Sequence, residues 1–156
     1  MRRHALPPML LMPFLLLAGC RHEIPVEIPG VTGPRLTDEE QIRAVLNDVQ
    51  RGMEAQRIYK VLAHVSRGYR DAEGRDYEAM QEYLNTLFKR YRELKIVRVR
   101  PEVFVDGRRA RAVETFGTVA TPLNPDDRQL QLQGQVDVYL EKTGDTWQIT
   151  EWGSVR

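Results

Sequence analysis

Cysteine occurs once in these 156 residues, at Cys20. A single thiol excludes a disulfide framework and any cysteine-rich zinc site. Histidine is nearly as scarce, at His4, His22 and His64. None follows His64, which rules out a His/Asp dyad on a later strand and leaves no material for a histidine metal centre. Charge of one sign is lacking too: 23 Lys and Arg stand against 22 Asp and Glu, a formal charge of +1. Phosphate contacts need a clear basic excess, so nucleic acid is not an expected partner. The apolar run from Ala5 to Leu17 is broken by Pro7, Pro8 and Pro13. It falls short of the ~20 residues that span a bilayer. Glycine-rich phosphate loops, Ser/His/Asp arrangements and metal-ligand spacings are absent, so no cofactor and no metal are expected. What remains is 42% hydrophobic and 29% charged, the make-up of a globular chain long enough for one domain.

Residues 1–19 read as an address. Met1-Arg2-Arg3-His4 is a charged start, Ala5 to Leu17 a short apolar stretch and Ala18-Gly19 a small-residue end, the three parts of a secretory signal peptide. Leu17-Ala18-Gly19-Cys20 resembles the lipobox of bacterial lipoproteins, L-[AS]-[GA]-C, at all four positions. The resemblance implies cleavage before Cys20, a diacylglycerol thioether on its sulfur and acylation of the new amino group. Several acyl chains on one residue anchor a protein stably where a single chain would not. Arg21 stands where an aspartate would imply retention in the inner membrane, so the resemblance implies the periplasmic face of the outer membrane. Without Arg2 and Arg3 the formal charge is −1, so attachment to the membrane would come from the lipid. Residues 20–36, with Pro25, Pro29, Pro34, Gly30 and Gly33 and no helical period, read as a tether.

Thr37-Asp38-Glu39-Glu40 is a capping box. Behind it Ile42, Val45, Leu46, Val49 and Met53 form one helical stripe. Ile58, Val61, Leu62 and Val65 predict a short second helix over 57–66, and Gly68, Asp71 and Gly74 make 67–74 a loop. Asp76 can cap a third helix whose stripe is Tyr77, Met80, Leu84, Leu87, Phe88 and Tyr91. After Lys95 the period drops to two. One edge strand is expected over 96–105, carrying Val97, Val99, Val103 and Val105 and interrupted by Pro101. Asp106-Gly107 signals a hairpin, residues 109–121 a second strand, and 121–127 a loop with two prolines. A third strand puts Leu130, Leu132, Gly134, Val136, Val138 and Leu140 on one side. Gln129, Gln131, Gln133, Gln135, Asp137, Tyr139 and Glu141 take the other. Thr143-Gly144-Asp145 turns into a last strand, 146–155, with Trp147 and Trp152.

Helices followed by an antiparallel meander predict an α+β domain over 37–156, three N-terminal helices packed on a four-stranded antiparallel sheet. That order, the loop residues Ser66, Gly68, Tyr69 and Asp71, and the run Tyr139 to Ile149 resemble the nuclear-transport-factor-2-like superfamily. Its members include ketosteroid isomerase, scytalone dehydratase and polyketide cyclases. The resemblance implies a curved sheet and helices forming a cone whose mouth can hold a small apolar molecule. In its enzymes an aspartate or a His/Asp pair inside the cone acts as acid or base. By that resemblance Asp71 would be a base and Tyr69 a hydrogen-bond donor, with Asp137 and Tyr139 as further ligand-binding candidates beside Glu114 and Glu151.

Each candidate has a plainer reading. A loop aspartate commonly caps its own loop, and alternate strand residues are commonly solvated. In the basic run from Lys89 to Arg111, Arg98 and Arg100 alternate with valines as a solvated strand face does. His64 lies just off the stripe of the second helix, a place for a partly exposed or hydrogen-bonded histidine. The glutamine row of the third strand suits a partner surface, and the superfamily's habit of pairing through this sheet implies a homodimer. The function expected from the sequence is a lipid-anchored cell-envelope protein, a non-catalytic module holding a small apolar ligand or a protein partner. An isomerase- or dehydratase-type enzyme and an accessory subunit of an envelope assembly or secretion system are the alternatives.

Overall fold

The computed structural model describes residues 35–156. The stretch read as a signal peptide, Cys20, His22 and the stretch read as a tether up to Pro34 lie outside the described residues. Helix α1, Asp38–Glu54, opens on the capping box: the Glu40 amide donates to Thr37 Oγ1 at 3.3 Å and the Thr37 amide donates to Glu40 Oε2 at 2.8 Å. These two bonds satisfy amides that a helix start leaves without internal partners. Its stripe, Ile42, Val45, Leu46 and Val49, is buried.

Helix α2, Ile58–Leu62, is shorter than its apolar spacing predicts. The backbone after it is taken by the sheet: the Ile149 amide donates to the His64 carbonyl, and the Ser66 amide donates to the Ile149 carbonyl, both at 2.8 Å. Helix α3, Tyr77–Arg90, is capped by Asp76, whose carboxylate accepts from the Ala79 amide at 2.9 Å. It ends where Tyr91 turns extended, so Tyr91 begins a strand instead of closing the helical stripe.

Five strands follow, one more than the four expected: β1 Tyr91–Arg98, β2 Glu102–Asp106, β3 Arg109–Pro122, β4 Leu130–Thr143 and β5 Thr146–Trp152. The segment read as one bulged strand over 96–105 is two strands, because Pro101 carries no amide hydrogen to continue a ladder. Both halves pair antiparallel with the same edge of β3. β1 lies against Phe116–Pro122 and β2 against Arg109–Val113. The remaining order is β3-β4-β5, antiparallel throughout.

The facing of β1 also departs from the alternation. Its register against β3 shifts between Arg92 and Lys95, with Glu93 at φ 53°. Beyond that bulge Leu94, Ile96 and Arg98 turn inward, while Val97 and Val99 are 76% and 64% exposed. A bulge changes which side chains meet the core.

Residues 35–156 form one compact unit with its own core. The α1 stripe, Val61, Leu62, Met80 and Leu84 pack against Ala110, Ala112, Val138, Leu140, Trp147 and Ile149. The chain past β5 stays beside β4, the Arg156 and Gln135 amides and carbonyls exchanging bonds of 3.0 and 2.9 Å. Gly134 permits that approach, since a Cβ there would lie 2.5 Å from Val155 Cγ1.

Candidate functional site

A cavity of about 300 Å³ opens between the sheet and the helices, within the range of small-molecule sites. Its walls follow from the strand facings just described. Glu114, Phe116 and Thr118 of β3 and Leu130, Leu132 and Val136 of β4 look toward Leu46, Val49 and Met53 of α1 and Met80, Leu84 and Leu87 of α3. Leu94, Ile96 and Arg98 supply the β1 wall, and Trp152, Gly153 and Val155 close the far edge. The surface is chiefly apolar, with charge in two places.

The first is Arg98 with Glu114. Their side chains are 8% and 12% exposed and form an ion pair between Arg98 Nη1 and Glu114 Oε1. Arg98 Nε donates to Gln50 Oε1 at 2.6 Å, and Arg98 Nη2 donates to Asn47 Oδ1 at 2.5 Å. Gln50 is itself fixed, donating to the Ile96 carbonyl at 2.8 Å. Burial pushes the Glu114 carboxyl above the usual carboxylate range, and the charge and hydrogen bond of Arg98 only partly oppose it. Glu114 Oε2 has no hydrogen-bond partner among the described residues and is not sealed from solvent. Glu114, which lines the cavity, therefore keeps one uncommitted acceptor oxygen.

The second is Arg75 with Glu73, contributed by the loop before α3. Arg75 Nη2 donates to Glu73 Oε2 at 2.9 Å and Arg75 Nε donates to Asp71 Oδ2 at 2.6 Å. The Arg75 guanidinium lies over the Tyr83 ring, 4.8 Å from its centroid. Asp71 is thus behind the wall rather than in it, and neither it nor Tyr69 lines the cavity.

The Asp71 carboxylate accepts from the amides of Glu73 and Arg75 at 3.1 and 2.8 Å and from the Tyr69 hydroxyl at 3.3 Å. Burial would push this carboxyl up, but the bonds from Arg75 outweigh it and hold it below the usual range. With those partners in place, and away from the cavity lining, it is poorly suited to take a proton from a molecule in the cavity. Tyr69 packs edge-on against Trp152, centroids 5.8 Å apart, and burial first, then the Asp71 charge, raises its hydroxyl above the ordinary tyrosine value. Its role is to back the cavity wall.

Replacing Asp71 by asparagine keeps the shape but gives up one acceptor oxygen against four donors. A loss of about 1–3 kcal/mol in denaturant unfolding is expected. Unchanged stability would mean the loop does not depend on this carboxylate.

Asp137 and Tyr139 sit on β4 with the opposite facing from Val136 and Val138, so they lie on the outer side of the sheet and do not line the cavity. Arg156 Nη1 donates to Asp137 Oδ2 at 2.8 Å and lowers its pKa. Arg111 Nη1 is 3.6 Å from its other oxygen. The glutamines at 131 and 133 are exposed on the same outer side. His64 faces Asp48 at 3.6 Å on the helical layer, its pKa lowered by burial. No group of three or more His, Cys, Asp or Glu among the described residues could hold a metal ion.

Arg98 is the cavity residue that the sequence pattern hid, because valines on both sides suggested a solvated position. Glu114 was visible as a candidate, and a signal for its burial exists: it stands in the alternation Ala110, Ala112, Glu114, Phe116, Thr118, Ala120. A lone carboxylate in an otherwise small and apolar stripe is a buried one.

No protein-family model matches the chain, and no curated protein matches it. Solved structures do. A candidate scytalone dehydratase from Novosphingobium aromaticivorans is 13% identical over 72% of this chain and 79% of its own, with a TM-score of 0.65. A nuclear-transport-factor-2-like superfamily protein from Salmonella enterica serovar Typhimurium is 16% identical over 75% and 89%, TM-score 0.64. The fold is nuclear-transport-factor-2-like. A hexachlorocyclohexane dehydrochlorinase shares it at 11% identity, over 72% of this chain and 80% of that one, TM-score 0.63. At such identities the likeness concerns the fold, and what a nuclear-transport-factor-2-like cone does is decided by its lining.

Proposed function

We propose that this chain is a lipid-anchored cell-envelope protein whose nuclear-transport-factor-2-like domain binds a small, largely apolar molecule in the cone. The observation that carries the binding part is the cavity of about 300 Å³ with apolar walls and one buried ion pair, Arg98 with Glu114. Such a lining suits a ligand that buries most of its surface and is oriented by a few polar contacts. The anchoring part rests on Leu17-Ala18-Gly19-Cys20. Arg21 in the position after the cysteine supports, through the lipoprotein resemblance, a location on the periplasmic face of the outer membrane.

Native mass spectrometry of residues 21–156 purified from the source organism tests the binding reading. A retained small molecule is the expected result. A domain that carries none, and that co-purifies with an envelope protein instead, would replace ligand binding with docking. Cys20→Ala is expected to abolish lipid modification and move the protein out of the membrane fraction. Retention of that variant in membranes would overturn the lipoprotein reading.

One observation favours a second reading, a small-molecule enzyme of the dehydratase or isomerase kind. Glu114 is a buried carboxylate with a raised pKa beside a fixed cation, the environment in which a side chain can exchange a proton near neutral pH. Two of the neighbouring structures carry dehydratase and dehydrochlorinase names. In this reading Glu114, rather than Asp71, carries the proton. Turnover of the retained molecule that disappears in Glu114→Gln while binding persists would establish it.

A further inference from the structure

The cavity's two cationic groups are both already matched. Arg98 gives Nε to Gln50, Nη1 to Glu114 and Nη2 to Asn47. Arg75 is held between Asp71 and Glu73. An anionic ligand would therefore find no uncompensated positive charge, and at the Arg98 wall it would meet the free oxygen of Glu114. That oxygen, Oε2, accepts from no donor among the described residues and belongs to a side chain lining a chiefly apolar space. It keeps contact with solvent when the cavity is empty, and a ligand donor would replace its water with a bond to a charged acceptor, worth more than one between neutral groups.

We infer that the cone selects a compact apolar molecule bearing a neutral hydrogen-bond donor, a hydroxyl or amide N–H placed against Glu114 Oε2, and discriminates against carboxylates and other anions. This rests on the ligand-binding reading of the cavity and names the chemistry that would decide it. Gln50 and Asn47 are positioning residues here: they occupy Arg98 so that its charge stays with Glu114 instead of turning to a ligand. Phe116, Leu132 and Trp152 supply apolar contact for the rest of the molecule.

The test uses three probes of one skeleton on residues 21–156: 4-phenylphenol, 4-methylbiphenyl and biphenyl-4-carboxylate, at neutral pH. Trp152 lines the cavity and Trp147 does not, so the indole N–H resonance of Trp152 reports binding and that of Trp147 serves as the internal control. The phenol is expected to bind about ten-fold or more tightly than either of the others. In Glu114→Gln the Arg98 charge loses its counterion, and the carboxylate is expected to overtake the phenol. Equal binding of the phenol and the methyl compound, or a carboxylate at least as tight as the phenol, would overturn the donor inference while leaving the cavity a binding site. Failure of all three to shift Trp152 would remove the cavity reading itself, and the donor inference with it. Should Glu114→Gln fail to fold, the unsubstituted domain decides by the probe series alone.

Discussion

Replacing Trp147 by alanine is expected to lower stability by about 3–5 kcal/mol, enough to remove much of the margin of a domain this size. The ring is 1% exposed at the start of β5 and belongs to the main hydrophobic cluster. It also ties the sheet to the first turn of α1: its Nε1 donates to Asp38 Oδ1 at 3.0 Å, and Lys142 Nζ pairs with the same oxygen. Loss of the indole thus leaves a cavity under the closing strand and removes one of the two bonds that Asp38, in the first turn, accepts from the sheet. Trp147→Phe separates the two effects. It retains most of the ring but not the bond, and about 1 kcal/mol is expected to be lost. Urea unfolding monitored by far-ultraviolet circular dichroism measures both variants, since the signal does not depend on the tryptophan removed. A loss below about 1 kcal/mol for the alanine variant would mean that the neighbouring side chains close over the site.

Local signals read well where chemistry is local. The capping box at Thr37, the cap at Asp76, the Asp106-Gly107 hairpin and the turn at Gly144 all sit where the sequence places them. They depend on residues within four positions of one another. The alternation along β4 carried over the same way, because one face packs on the helices and the other does not. What could not be read depends on partners distant in the chain. α2 stops early because Ile149, almost ninety residues on, takes its backbone. β1 faces the other way from its valines because a bulge at Glu93 sets its register against β3.

The candidate site suffered most from this. Its acid was in view, but the cation beside it was assigned to solvent. Asp71 drew attention as a lone aspartate in a mouth loop, yet its loop folds back on it, with Arg75 four residues later. Those contacts are short in sequence, so a cap was the reading that local chemistry favoured. The cavity itself depends on three strands and two helices meeting, and no single segment encodes that.

Removing Arg98 is expected to be as damaging as removing Trp147, and its cost should depend on pH. Arg98→Ala takes away the partner of a carboxylate that is only 12% exposed, and breaking a buried pair on one side typically costs about 3–5 kcal/mol. Glu114 already has a folded-state pKa raised above its ordinary value, burial being the largest cause and Arg98 the group that opposes it. A raised acid pKa means that the folded state holds its proton more tightly than the unfolded chain. Stability therefore falls as pH rises from the ordinary glutamate value through the raised one. Without Arg98 the opposing influence disappears, the rise grows, and the fall extends to higher pH. The loss in Arg98→Ala should be smallest near pH 4, where Glu114 is protonated in the folded state and largely protonated in the unfolded one, so the missing charge matters least. It should reach its full size at pH 8, where folding must bury an unpaired carboxylate. Adding Glu114→Gln to Arg98→Ala removes the titrating group and should recover part of the loss at pH 8 but little at pH 4. Urea unfolding of the three proteins at the two pH values measures this directly. A loss of the same size at both would show that Glu114 stays hydrated without Arg98, and that the two residues share a wall of the cavity without depending on each other for charge.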